Sequence, residues 1–151
     1  MQKNISPWAF IVTVALWAWL DALTKVLAQI YLARETITLI PWFLSLEYVR
    51  NPGIAFSFPL HWNLLKIITV ILIFVIILYY IHKERAKKNL LLDIGFVFIL
   101  SGAIWNAWER IFVRSVTDMI AVERFAVFNV ADSLIFLWVS LVLASYYFYK
   151  K

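Results

Sequence analysis

Two aspartates stand late in the chain in contexts that invite chemistry. Asp118 lies in "VTDMI" (Val116–Ile120), and Asp132 lies in "FNVADSLIFLWVSLVL" (Phe128–Leu143), with Asn129 three residues before it. The second stretch is otherwise almost wholly apolar, so a carboxylate and a carboxamide in its first turns need a cause. Two carboxylates facing each other in a partly dry site cannot both ionise easily, and one keeps a proton. The ionised partner can then take a proton from water while the protonated one donates to a carbonyl oxygen, as aspartic proteases do. An Asp/Asn cation site or a proton relay uses the same residue types, and spacing alone leaves those readings open. Cysteine is absent, which removes disulfides, thiol catalysis and thiolate metal sites. His61 precedes an apolar run and His82 falls in a basic loop, so neither sets up a Ser-His nucleophile.

The elements that must position these residues are membrane spans. Of 151 residues 64% are hydrophobic, and the mean hydropathy is +0.85, against about 45–50% apolar residues in a soluble domain. The chain reads as one integral membrane domain over residues 1–151. A span needs about 20 mostly apolar residues. Four segments qualify: about 7–27, 62–81, 90–113 and 126–149. The first resembles a signal peptide, but it is too long, lacks a small-residue cleavage site and contains Asp21 and Lys25; it reads as a retained span. The net charge of +5 is expected to orient the chain rather than to bind nucleic acid. "HKERAKKN" (His82–Asn89) concentrates that charge, which places it, and with four spans both termini, in the cytoplasm. Trp8, Trp62, Tyr79, Tyr80, Tyr146, Tyr147 and Tyr149 fall near span ends, where belt aromatics belong.

The fold class expected is an all-α membrane protein of four transmembrane helices, with a small extracytoplasmic β-rich element and a short amphipathic segment. "TITLIPWFLSLEYV" reads as short strands broken at Pro41, "RNPG" (Arg50–Gly53) as a turn, and "IAFSF" as a returning strand. "DMIAVERF" (Asp118–Phe125) reads as a turn or two of amphipathic helix at the interface. On this topology Asp21, Lys25, Asn106, Glu109, Arg110, Asn129 and Asp132 collect at the outer level, with Asn51 and Asp118 in the outer connections. Asp93 lies near the cytoplasmic end and Lys66 can snorkel. A charge in hydrocarbon costs about 2.5–3.5 kcal/mol or more, so polar residues at one depth imply a shared site. Asp21 with Lys25, and Glu109 with Arg110, also suit simple helix-joining pairs.

With these pieces in place the chain resembles the signal peptidase II family over nearly its whole length. "DALTK" (Asp21–Lys25), "VRNPGIAFSF" (Val49–Phe58), "SGAIWNAWERI" (Ser101–Ile111), "VTDMI" and "FNVADSLI" (Phe128–Ile135) occur in family order. The resemblance implies an aspartyl endopeptidase in which Asp118 and Asp132 are the catalytic pair. It also implies substrate-binding or supporting roles for Asn51, Asn106, Glu109, Arg110, Asn129, Asp21 and Lys25. It implies cleavage of diacylglyceryl-modified prolipoproteins at the outer face of the bacterial cytoplasmic membrane, with no metal or cofactor. The expected partners are those substrates and membrane lipids, and the chain is expected to be a monomer. It departs from the family at Trp105 and Arg114, where glycine is usual, and at Glu109, where aspartate is usual. Two rivals remain: a non-catalytic relative that binds lipidated peptides, and a small transporter, which would place its polar residues nearer the midplane.

Overall fold

The chain is described by a computed structural model covering residues 4–53 and 61–149, with backbone alone for 141–149. Helix α1 spans Pro7–Tyr31. The Ser6 hydroxyl accepts from Ala9 N at 3.2 Å and Pro7 opens the first turn, where its missing N–H costs nothing. Strands β1 (Ile37–Ile40) and β2 (Leu44–Asn51) follow, then α2 (Trp62–Tyr79). The α2 path continues through a π turn (Tyr80–Glu84) and a 3-10 turn (Arg85–Lys87). Helix α3 (Leu90–Trp108), capped by the Asn89 side chain on Leu91 N at 2.9 Å, runs into a π turn (Glu109–Val113). Strands β3 (Val116–Val122) and β4 (Ala126–Phe128) lead to α4 (Val130–Tyr149).

Among the described residues three helical stretches are long and apolar enough to cross a membrane: Pro7–Tyr31, Trp62–Lys87 and Leu90–Val113. The apolar run of α4 extends to Ser140 within the residues whose side chains are described. Two sequence expectations change at the fourth segment. Residues 126–128 form β4 rather than the start of a span, so the helix begins at Val130. The expected amphipathic helix over 118–125 is β3 and its turn, because this segment pairs with β2 on one side and β4 on the other. The "IAFSF" strand lies outside the described residues.

The four strands form one antiparallel sheet in sequence order, β1 to β4. Pro41 ends β1, and Trp42 takes a left-handed φ of 62° in the turn that follows. Arg124 does the same at 61° between β3 and β4. Glu123 N donates to Phe43 O at 3.0 Å, which ties the two hairpin tips together. β3 sits in the middle with Val116, Thr117, Asp118, Met119 and Ala121 buried. Val49 lies opposite Asp118 and Asn51 opposite Val116.

Helix α3 is the axis of the bundle, packing on α1, α2 and α4. Its glycines allow the close approach. A Cβ at Gly95 would lie 1.6 Å from the Trp138 indole, and one at Gly102 would lie 2.7 Å from Ala131 Cβ. At the far end from the sheet, buried Asp93 accepts from Tyr80 Oη at 2.8 Å and from Ile5 N at 2.7 Å, and Phe10 stacks on Tyr80 at 4.6 Å. Tyr80 is therefore a core residue rather than a belt aromatic, whereas Trp8 and Tyr79 are exposed. Lipid-facing exposure runs along α1 and α2, where Leu65 is the one fully buried residue of α2.

The α3–α4 contact holds Asp132 in place, and Gly95→Leu is expected to wedge it open. The overpacking penalty is about 1–3 kcal/mol, read as a lower melting temperature in detergent. Adding Trp138→Ala should restore part of the loss. A Gly95→Leu protein as stable as its parent would contradict this packing.

Candidate active site

The site forms where α1, the end of α3, β2, β3 and the start of α4 meet. Lys25 on α1 is 3% exposed and must be neutralised. Its ammonium pairs with Asp21 Oδ2 at 2.8 Å, one helical turn earlier, and with Glu109 Oε2 at 2.9 Å, and it also donates to Asn106 Oδ1. Glu109, in the π turn after α3, also accepts from Thr117 Oγ1 at 2.7 Å and Thr117 N at 3.2 Å, and lies 3.5 Å from the Arg50 guanidinium. Glu109 thus pairs with Lys25 and Arg50, not with its neighbour Arg110. The extra methylene relative to aspartate gives it the reach to join α1, β2 and β3. Asp21 Oδ1 accepts from Ala131 N at 3.1 Å, stabilising the amino end of α4.

Above this knot lie three carboxamides whose orientations are forced by their neighbours. Lysine only donates, so Asn106 turns its oxygen to Lys25 and its Nδ2 to Asp132 Oδ1, at 3.1 Å. Asn129 caps α4 by accepting from Asp132 N at 2.9 Å, so its Nδ2 faces Asp118 Oδ1, also at 2.9 Å. Asn51 accepts from Gly53 N at 2.9 Å in the turn after β2, and its Nδ2 donates to Asp118 Oδ2 at 3.0 Å. Asn129 is 0% exposed and links both aspartates. The chain therefore brings Asp118, Asp132, Asn51, Asn106 and Asn129 into one hydrogen-bonded set, with Asp21, Lys25 and Glu109 beneath it.

The two aspartates are not equivalent. Asp118 is buried and both its oxygens accept from carboxamides. Burial pushes its carboxyl up to about 6, the Asn51 bond pulls against that shift, and the Asp132 charge adds to it. Asp132 is half-buried, with one oxygen on Asn106. It faces an apolar cavity of about 560 Å3 lined with Val122, Phe125, Phe128 and Phe136. Arg110 lies within electrostatic reach of Asp132, Asp118 and Glu109, and its buried Nε has no hydrogen-bond partner. Four carboxylates (Asp21, Glu109, Asp118, Asp132) thus share three cations (Lys25, Arg50, Arg110). That imbalance favours one retained proton.

Sequence reasoning passed over Arg50 and Thr117. Arg50 donates to Thr117 Oγ1 at 2.8 Å and so helps fix β3 beside Asp118; its place directly before Asn51 was the available signal. The departures lie around the set rather than within it. Trp105 stacks on Trp108 at 5.0 Å. Arg114, with a φ of 64°, occupies backbone that glycine adopts freely, and it lies over the Trp62 ring at 5.6 Å.

Comparison with known proteins places this geometry among relatives. The family model for signal peptidase (SPase) II matches residues 13–148. A lipoprotein signal peptidase from Bartonella tribocorum is 42% identical over 71% of this chain and 66% of its own length. The chain thus spans just under two thirds of that relative. One from Bartonella henselae is 40% identical over 92% of this chain and 88% of the relative. In fold, a bacterial membrane enzyme solved by the in meso method superposes with a TM-score of 0.80, at 24% identity over 96% of each chain.

Two outcomes follow. Glu109→Ala strands Lys25 beside a single carboxylate and is expected to cost about 3–5 kcal/mol, seen as reduced thermal stability in detergent. Glu109→Asp keeps the charge but loses reach to Thr117, and it should cost less. Asp118 carries the pH signature. Its folded value near 6 exceeds the unfolded 3.8, so the folded state binds its proton more tightly and stability falls as pH rises through that window. Asp118→Asn removes the titration, so its melting temperature relative to the parent should climb from pH 4 to pH 7; a flat difference would refute the shift.

Proposed function

Because the chain belongs to the signal peptidase II family, we propose that it removes signal peptides from prolipoproteins as an aspartic endopeptidase, with Asp118 and Asp132 as its catalytic pair. What carries this reading is the carboxamide-linked pair of aspartates, one saturated and buried, the other open to an apolar cavity. Asp132, ionised, takes the proton from the attacking water. Asp118 holds the shared proton and donates it to the oxygen of the scissile carbonyl as that oxygen gains charge. Arg110, with its unpartnered Nε, binds a substrate carbonyl and stabilises developing negative charge. Asn129 and Asn106 hold the aspartates in register, and Asp21, Lys25 and Glu109 support them from below.

The substrate of this reading is a prolipoprotein carrying diacylglycerol on the cysteine after the cut. The cavity beside Asp132, walled by phenylalanines, receives its apolar portion. The chain crosses the bacterial cytoplasmic membrane four times, with the Lys83–Lys88 loop and both termini inside. The site then opens at the outer leaflet, where the lipid anchor of such a substrate lies.

Cleavage of a diacylglyceryl-modified prolipoprotein by the purified chain tests this directly. Asp118→Asn and Asp132→Asn should each reduce the rate about 10²–10⁴-fold, without additive loss in the double variant, because the pair works as a unit. The parent should show a bell-shaped pH–rate profile whose limbs belong to the pair. Near-parental cleavage by either asparagine variant would remove the dyad assignment.

A further inference from the structure

From the end of the bundle opposite the aspartates runs a second apolar cavity, of about 530 Å3, reaching as far as Ala18 and Ile104. Ile11, Ala15 and Ala18 of α1 form one wall, Ile77 and Ile81 the other, and Leu100 and Ile104 of α3 the floor. Pro7 and Ala18 mark its extent along α1, a rise of about 16 Å at about 1.5 Å per residue. One leaflet holds about half of a hydrocarbon core about 30 Å thick, so the groove has the depth of a single acyl chain.

Arg85 stands at the end of this groove, in the basic loop. Its guanidinium donates to Ile5 O at 3.5 Å. The nearby carboxylates are already engaged: Asp93 by Tyr80 and Ile5 N, Glu84 by Lys87 at 2.7 Å. Lys83, Arg85, Lys87 and Lys88 against Glu84 and Asp93 leave two positive charges in excess at the rim. A guanidinium fork beside an apolar slot suits a phosphate joined to a hydrocarbon chain.

We propose that this groove seats an acyl chain of one anionic glycerophospholipid, drawn from the leaflet that faces the Lys83–Lys88 loop, with its phosphate on Arg85. The lipid bridges α1 and α2 at the end where Phe10 stacks on Tyr80. Its headgroup on Arg85 lies at the end of the bundle opposite the aspartates, and the lipid takes no part in hydrolysis. Basic pockets between helices on this kind of surface bind anionic headgroups; the groove adds a chain length to that preference.

Native mass spectrometry of the full chain in non-ionic detergent, titrated with palmitoyl-oleoyl phosphatidylglycerol or phosphatidylcholine, tests the proposal. The parent should retain phosphatidylglycerol preferentially. Arg85→Ala should lose about fivefold of that preference, and Lys83→Ala, in the same loop but outside the groove, clearly less. Ala15→Trp fills the slot and should abolish retention of both lipids. Melting curves identify any variant that fails to fold. For the parent itself, dioctanoyl phosphatidylglycerol should bind more weakly than the long-chain form, and glycerol phosphate should not compete. Equal losses for Arg85→Ala and Lys83→Ala, retention by a folded Ala15→Trp, or indifference to chain length would each reduce the effect to diffuse attraction by the loop and overturn the proposal.

Discussion

The structure depends on one buried ammonium. Lys25 sits at 3% exposure in the later half of an apolar helix, where an uncompensated charge costs at least about 2.5–3.5 kcal/mol. Its three donors reach three different groups: Asp21 on its own helix, Glu109 beyond the end of α3, and Asn106 within α3. Each partner is committed elsewhere as well: Asp21 to the start of α4, Glu109 to β3, and Asn106 to Asp132. Neutralising the lysine therefore fixes how four elements meet. A hydrophobic residue in its place would strand Asp21 and Glu109 as buried, unpaired carboxylates, at about 3–5 kcal/mol, and would leave Asn106 free to flip and Asp132 without a defined donor.

From this follows the asymmetry between the aspartates. Carboxamides offer a donor and an acceptor on one rigid plane, so a neighbour of known polarity on one side dictates what the other side presents. Lys25, Gly53 N and Asp132 N set the three asparagines so that every N–H aimed at an aspartate favours a carboxylate. Burial opposes those bonds and wins at Asp118. The site is held in tension between desolvation and hydrogen bonding, and such tension lowers stability.

Much of this was legible in the sequence. Apolar runs located the helices, because nothing but lipid explains their length, and charges at one depth located the polar set, because isolated charges there are too costly. The sheet was only half legible. Pro41 marks the break between β1 and β2, but "VTDMIAV" lies beside a helical span and carries no period-2 pattern to mark it as a strand; pairing with β2, a long-range contact, decides the matter. Tyr80 was misplaced for a similar reason. A tyrosine at a helix end looks like a belt residue until the carboxylate it bonds, Asp93 on another helix, is known. The partner of Glu109 was missed because adjacency in sequence suggested Arg110, while the π turn directs the carboxylate towards α1 and β3.

The bond from Ala131 N to Asp21 joins residues 110 positions apart, and Asn129, which links both aspartates, sits at the entry to the last helix. A ribosome releasing this chain thus delivers the parts of the site piecemeal, from α1 through β2, α3 and β3, with the pieces on α4 arriving after those. Until the final segment has left the translocation channel and docked between the first and third helices, Asp118 lacks one of its two carboxamides and Asp132 has not emerged at all. A half-made copy lacks the complete hydrogen-bonded set, which closes only when α4 docks on α3.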